Sequence, residues 1–176
     1  DGTIYQNTVF HRDYLRFLVA GTDKAFWAEE LIGYAEAVFS GKHLEMNAFY
    51  ANERIEAPSP AAFFRALEAE RLPDFSYEEA LARGGYIYTG DAWAVVTLLG
   101  KTLGLLEGER NEEIYRRTRE KMSADGMEGN ARLGEAIRSL AGRFQIILMS
   151  NSYESTALAF LEQLGFSHVF EKTAFS

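Results

Sequence analysis

The stretch from Gly129 to Phe170 constrains the fold more than any other part of the chain. Gly129 and Asn130 precede a run in which Leu133, Ile137, Leu140 and Ala141 recur at helical spacing and face inward, and Gly142 ends it. Phe144 to Met149 is then short, apolar and contains two isoleucines, the pattern of a buried strand. The polar triplet Ser150-Asn151-Ser152 follows directly. Tyr153 to Leu164 returns to helical spacing, with Ala157, Phe160, Leu161 and Leu164 on one face. Gly165 stands at a left-handed cap position, and Val169-Phe170 begins another short strand. Helix, strand, polar turn, helix, strand in that order predicts a parallel α/β sheet. Such sheets place ligands at the carboxyl ends of their strands, where first-turn amides of the next helix point outward. Ser150 to Ser152 is therefore the expected anion site, and the plainer reading is that Ser152 only caps the helix.

The chain ahead of this unit reads differently. Asp1 to Phe10 holds Gly2 and Asn7 among apolar and β-branched residues, which predicts a tight turn into short irregular or extended structure. From Asp23 to Phe39, Trp27, Leu31, Tyr34, Ala35 and Val38 share one helical face, with Gly41 at the end. Further helices are expected over Pro60 to Arg71, Tyr77 to Ala82, Asp91 to Leu106 and Asn111 to Ser123. Pro60 suits the first turn after Ser59, Asp91 suits a cap, and Asn111 with Glu112 and Glu113 is a start signal. The middle of the chain is expected to be almost wholly helical, with turns at Ala57 to Pro60 and at Gly84 and Gly85.

With 176 residues, 47% of them hydrophobic, the chain can bury a core as one domain or as a core with an inserted subdomain. A net charge of -8 argues against nucleic acid as a partner, because the phosphate backbone selects basic faces. A phosphorylated ligand would need a local positive centre. There is no cysteine, which excludes disulfides, thiolate catalysis and Cys-ligated zinc in these residues and fits a reducing compartment. No apolar run is long enough for a membrane span, and the N-terminus lacks a basic region followed by an apolar one, so the expected location is cytoplasmic, away from membranes.

Asp1-Gly2-Thr3-Ile4-Tyr5 resembles the tail of the first motif of the haloacid dehalogenase superfamily, in which two aspartates flank one residue and Gly-Thr follows. Ile146-Ile147-Leu148-Met149-Ser150-Asn151 resembles the second motif, an apolar strand ending in Ser or Thr, often with Asn next. The helix ending Leu164-Gly165-Phe166, followed by Val169-Phe170, is similar to the approach to the third motif. The resemblance implies an α/β fold with a Rossmann-like parallel sheet core, formed by residues 1–12 and 124–176, and an inserted α-helical cap over 13–123. A cap in that position closes over the site and supplies substrate contacts.

The resemblance further implies a Mg²⁺-dependent phosphohydrolase acting on a small phosphorylated metabolite through an aspartyl-phosphate. Asp1 matches the second aspartate of the motif, the general acid and base, which protonates the leaving alkoxide and later activates water. The nucleophile falls two positions before Asp1, outside the sequence, as do a third-motif lysine and fourth-motif acids after Ser176. Mg²⁺ would take the backbone carbonyl of Asp1 among its ligands. Ser150, with the amides of Asn151 and Ser152, would hold the phosphoryl oxygens, Gly2 would permit the close turn and Thr3 would help to hold it. An aspartate at position 1 fits a phosphoester, which needs an acid for its leaving group, better than a haloacid, which does not.

Other residues read more plainly. Lys172 comes too soon after Phe170 for the third motif and is expected at the surface. His11, His43 and His168 lack metal-ligand spacing. Tyr86, Tyr88 and Trp93 form an aromatic group at a glycine-rich turn, explained by helix packing or by substrate contact. Arg116, Arg117 and Arg119 with Glu112, Glu113 and Glu120 read as a solvated helix face. The alternative functions are a helical interaction protein and a superfamily relative that binds phospholigands without turnover. The oligomeric state is not written in these residues.

Overall fold

The computed structural model of the chain describes residues 9–72, 78–79, 82, 84–125, 128–150 and 154–175. The chain divides into two compact units, one of Val9–Lys121 and one of Asp1–Thr8 with Met122–Ser176.

The larger unit is built on helices α1 (Phe10–Val19), α2 (Ala28–Phe39) and α4 (Ala92–Thr102), which pack on one another. Helix α3 is Pro60–Ala69, and α5 (Glu109–Ala124) runs past the unit's end. In α1, Phe10, Tyr14, Leu15, Leu18 and Val19 fall on one side at helical spacing and are all buried. Leu31, Ala35 and Val38 of α2 and Val95, Leu98 and Leu99 of α4 meet them with no exposed surface at all. Each such leucine or valine contributes about 1.5–3 kcal/mol relative to leaving it in water. The expected helix over 23–39 is in fact a 3-10 turn at Ala25–Trp27 followed by α2. Helix α1 was hidden from sequence by its location in a stretch that begins with β-branched and turn-forming residues.

Helix starts follow their caps. Ser59 Oγ accepts a hydrogen bond from Ala62 N at 3.3 Å, with Pro60 in the first turn, and Asp91 Oδ1 accepts from Ala94 N at 2.8 Å. The middle of the chain is not wholly helical, however. Strand β1 (Phe49–Ala51) pairs antiparallel with β2 (Tyr86–Tyr88), Tyr50 opposite Ile87. Aromatic and β-branched residues at five of these six positions, all but Ala51, favour the pleated surface, but three-residue strands are too short to show a period. The expected helix Tyr77 to Ala82 lies largely outside the described residues.

In the smaller unit α6 (Ala131–Leu140) starts on Asn130, whose Oδ1 accepts from Leu133 N at 3.0 Å. Strand β3 (Ile147–Ser150), helix α7 (Glu154–Gln163) and strand β4 (Lys172–Phe175) follow. β3 and β4 are parallel, with Leu148 opposite Thr173 and Ser150 opposite Phe175.

The α/β expectation of a Rossmann-like parallel sheet core fails here. The described residues are mostly helical, and their named strands form only two separate two-stranded sheets, one antiparallel and one parallel. The reason shows in β3. A strand buried on both faces needs neighbours on both edges and layers on both sides, whereas among the described residues β3 has one neighbour, and Ile147 and Met149 are 51% and 81% exposed. Apolar continuity was read as burial, yet it carries no information about how many strands flank a strand. Phe144 at 58% and Leu140 at 42% exposure depart from the inward positions expected of them for the same reason. The last strand begins at Lys172 and not at Val169.

Candidate functional site

Side chains alternate along a strand, and partners in a parallel pair share a face. The register therefore puts Leu148, Ser150, Thr173 and Phe175 on one face of the β3–β4 pair and Ile147, Met149, Lys172 and Ala174 on the other. The second face carries the exposed Ile147 and Met149, while Leu148, Ser150 and Phe175 are half-buried. Glu171 N donates to Ile146 O at 3.0 Å and carries the parallel pairing one step before the strands proper. Gln145 Nε2 donates to Glu171 Oε2 at 3.3 Å on the same end.

Ser150 is thus the last residue of β3, half-buried at the strand's carboxyl end, and α7 starts four residues later at Glu154. The remaining residues expected at the site, Asp1, Gly2, Thr3, Asn151 and Ser152, lie outside the described residues. A groove of about 490 Å³ runs beside α7, lined by Ser155, Leu158, Ala159 and Glu162 along the helix and by Phe170 and Thr173 opposite them. Leu161 and Phe166, both buried, also contribute to its wall.

Magnesium was expected on the backbone carbonyl of Asp1, which is outside the described residues. Among the described residues no group of three or more His, Asp or Glu side chains could hold a metal ion.

The histidines have separate surroundings. His11 is buried, with Nε2 3.3 Å from Glu36 Oε1 and its ring edge-on to Phe39. Glu36 also accepts from Arg12 Nε at 2.7 Å, and Arg12 first and His11 second hold its carboxyl below the usual range. His43 Nδ1 lies 3.0 Å from Glu68 Oε1, which also accepts from Tyr34 Oη at 3.3 Å. The Tyr34 ring stacks on Phe64 at 4.1 Å and on His43 at 4.9 Å. Burial, then the charge of Glu68, pushes the Tyr34 phenol up. His43 has φ of 63°, a left-handed backbone that non-glycine residues seldom adopt. Sequence spacing missed this Tyr34–His43–Glu68 cluster, because its members sit on α2, a turn and α3. Only Phe64 and Glu68, four apart on one helix, share a readable face.

The aromatic group separates into two. Trp93 stacks on Phe10 at 4.0 Å and lies 5.1 Å from Tyr115, so it belongs to helix packing, whereas Tyr88 stands on β2 beside Phe49 at 5.0 Å. On α5, Arg116 pairs with Glu120 and Arg117 with Glu113, all four side chains more than a third exposed, but the face is not simply solvated: Arg117 also lies over the Phe17 ring at 4.4 Å and Arg119 is half-buried over Tyr115 at 5.6 Å. Lys172 is exposed on β4.

No protein-family model matches the chain, and comparison with curated proteins finds no match either. Among the described residues no helix is long and apolar enough to cross a membrane.

Proposed function

We propose that the protein is a Mg²⁺-dependent phosphomonoester hydrolase of the aspartyl-phosphate type, acting on a small phosphorylated metabolite, with Asp1 as acid and base and Ser150 as phosphoryl ligand. The observation that carries this reading is the place of Ser150: it ends a strand of a parallel pair whose connection contains a helix, and that helix starts four residues later at Glu154. A hydroxyl there meets a phosphoryl oxygen alongside first-turn amides, which hold negative charge through hydrogen bonds and the helix dipole. The first-motif likeness of Asp1-Gly2-Thr3 supplies the acid, and the long segment Val9–Lys121 between the two motifs suits a cap. The reading rests on these motifs and on one strand–helix–strand unit, without an extended sheet.

Phosphate release from an aryl phosphate by the full-length protein, with and without Mg²⁺, tests it. Ser150→Ala is expected to slow turnover about 10²- to 10³-fold, the usual loss for one charge-stabilising donor. Asp1→Asn is expected to lose about 10²- to 10⁴-fold, as for removal of a general acid. Absence of metal-dependent release across a panel of phosphoesters would sink the hydrolase. Retained binding of phosphoesters without turnover would instead favour a phospholigand-binding protein.

A further inference from the structure

We infer that the groove along α7 receives the organic part of the phosphoester and selects an alkyl or aryl phosphate with a single anionic end, an inference that rests on the phosphatase reading of Ser150.

Thr173 lines the groove, and strand parity puts its side chain on the same face of the β3–β4 pair as that of Ser150. Ser150 is opposite Phe175, so Thr173 lies two residues back along β4 and one strand across, about 8 Å from Ser150 at ~3.3 Å per residue and ~4.8 Å between strands. On the helix, Ser155 belongs to the first turn of α7, the end that follows Ser150 in the chain. The groove then follows positions 155, 158, 159 and 162, the spacing of one helical face, for about 10 Å at ~1.5 Å rise per residue. A ligand whose phosphoryl group sits at Ser150 has its organic portion directed into this groove.

The lining decides what that portion is. Leu158, Ala159, Leu161, Phe166 and Phe170 offer carbon, and Leu158 is 45% exposed, an apolar side chain left open to a ligand. Hydroxyls occur at Ser155, Ser167 and Thr173, too few to match the hydrogen-bonding groups of a sugar, whose unpaired hydroxyls would each be penalised on burial. Glu162, exposed at the end of the helical stripe away from Ser150, repels a second phosphate or a carboxylate. Size agrees, since about 490 Å³ falls within the range of small-molecule sites.

The test is the Michaelis constant of the full-length protein for ethyl, butyl and hexyl phosphate and for a hexose phosphate. A fully buried methylene is worth about fourfold in affinity, so over four methylenes in a half-open groove KM is expected to fall at least about tenfold, with hexyl phosphate preferred to the hexose phosphate. Leu158→Glu, at a half-exposed position that tolerates a polar side chain, is expected to flatten that dependence. Glu162→Gln is expected to lower KM several-fold for a hexyl phosphate bearing a terminal carboxylate. A flat chain-length series, a preference for the hexose phosphate, or an unchanged slope in Leu158→Glu would overturn the inference while leaving the phosphatase intact. Should no phosphoester be turned over, the hydrolase reading fails by itself. Calorimetric binding of hexylphosphonate, compared between the wild type and Leu158→Glu, then decides the groove: tighter binding than ethylphosphonate that is lost in the variant supports it, and equal binding of the two overturns it.

Discussion

Thr89 is fully buried at the end of β2, with its hydroxyl 2.9 Å from Glu45 O and 3.0 Å from Ala48 O, and Ala48 N 3.3 Å away as a donor to it. Its own N–H donates to Ala48 O and its carbonyl accepts from Asn47 N, so one residue ties the 45–48 turn to the strand. Thr89→Val keeps the shape and removes the hydroxyl, leaving buried backbone groups without it. A loss of about 1–3 kcal/mol is expected from urea unfolding, and a loss below 0.5 would contradict this account. Tyr14 gives a different kind of test. It is 1% exposed, and burial pushes its phenol up to about 12, partly opposed by a hydrogen bond with Thr97. The folded value exceeds the unfolded value of about 10, so this contribution to stability is complete below about pH 10 and is lost as pH rises toward about 12. Tyr34 and Tyr50 are also raised, chiefly by burial, and act in the same sense. Tyr14→Phe should therefore make the thermal midpoint fall less steeply between about pH 10 and 12. Glu36 works in the opposite direction: Arg12 and His11 lower its carboxyl, so its contribution is present above the unfolded carboxylate value and lost on acidification. At this scale the caps were legible, because Ser59, Asp91 and Asn130 precede their helices directly. The pairing of Thr89 with a turn 41 residues earlier was not, since no local rule links positions so far apart.

Among the elements, α4 holds a glycine, Gly100, where helix propensity alone would prefer alanine by about 1 kcal/mol. A Cβ at that position would meet Leu106 Cγ at 2.6 Å and Leu18 Cδ1 at 3.2 Å, and both leucines are almost wholly buried. Overfilling such a site costs about 1–3 kcal/mol, so Gly100→Ala is expected to be neutral to destabilising by up to about 2 kcal/mol despite the better helix former. A clear gain in the urea midpoint would show that Leu106 moves aside freely. The same contact explains the end of α4. The sequence predicted helix to Leu106, but α4 ends at Thr102, Gly104 takes φ of 69°, and Leu105 N donates to Gly100 O while Leu106 returns onto the helix. The amphipathic run of α2 was legible because its period repeats several times, whereas α5 was read from a start signal at Asn111, two residues inside the helix that begins at Glu109. The β1–β2 pair was not legible, because its central partners Tyr50 and Ile87 lie 37 residues apart and each side contributes a single three-residue strand. The strand ending at Ser150 and the helix that follows from Glu154 were legible for the converse reason: their signals are consecutive.

At the scale of the whole chain, burial is divided unevenly. Phe10, Tyr14, Leu15, Leu18, Leu31, Val38, Phe63, Leu67, Val95 and Leu99 all belong to Val9–Lys121, whereas the buried apolar residues of 122–176 are only Met122, Ala157, Leu161 and Phe166 among the described ones. Sequence could not foresee this imbalance, since 144–149 is as apolar as any stretch in the larger unit. What differs is the number of layers laid against it. Stability follows layers, because opening a segment costs the burial it gives up. Amide hydrogen exchange on the full-length protein is therefore expected to be slowest in α1, α2 and α4. The amides of β3 and β4 are expected to exchange at least tenfold faster, since among the described residues their strands pair only with each other and Ile147 and Met149 stand in solvent. Exchange in β3 as slow as in α1 would mean that the outer face of β3 is covered in solution. A phosphoester at Ser150 adds a second arm to the measurement. Binding at the junction of β3 and α7 should slow exchange there, by the mass-action stabilisation of the bound form, and leave α1 and α2 unchanged. Slowing confined to the larger unit would place the ligand away from Ser150.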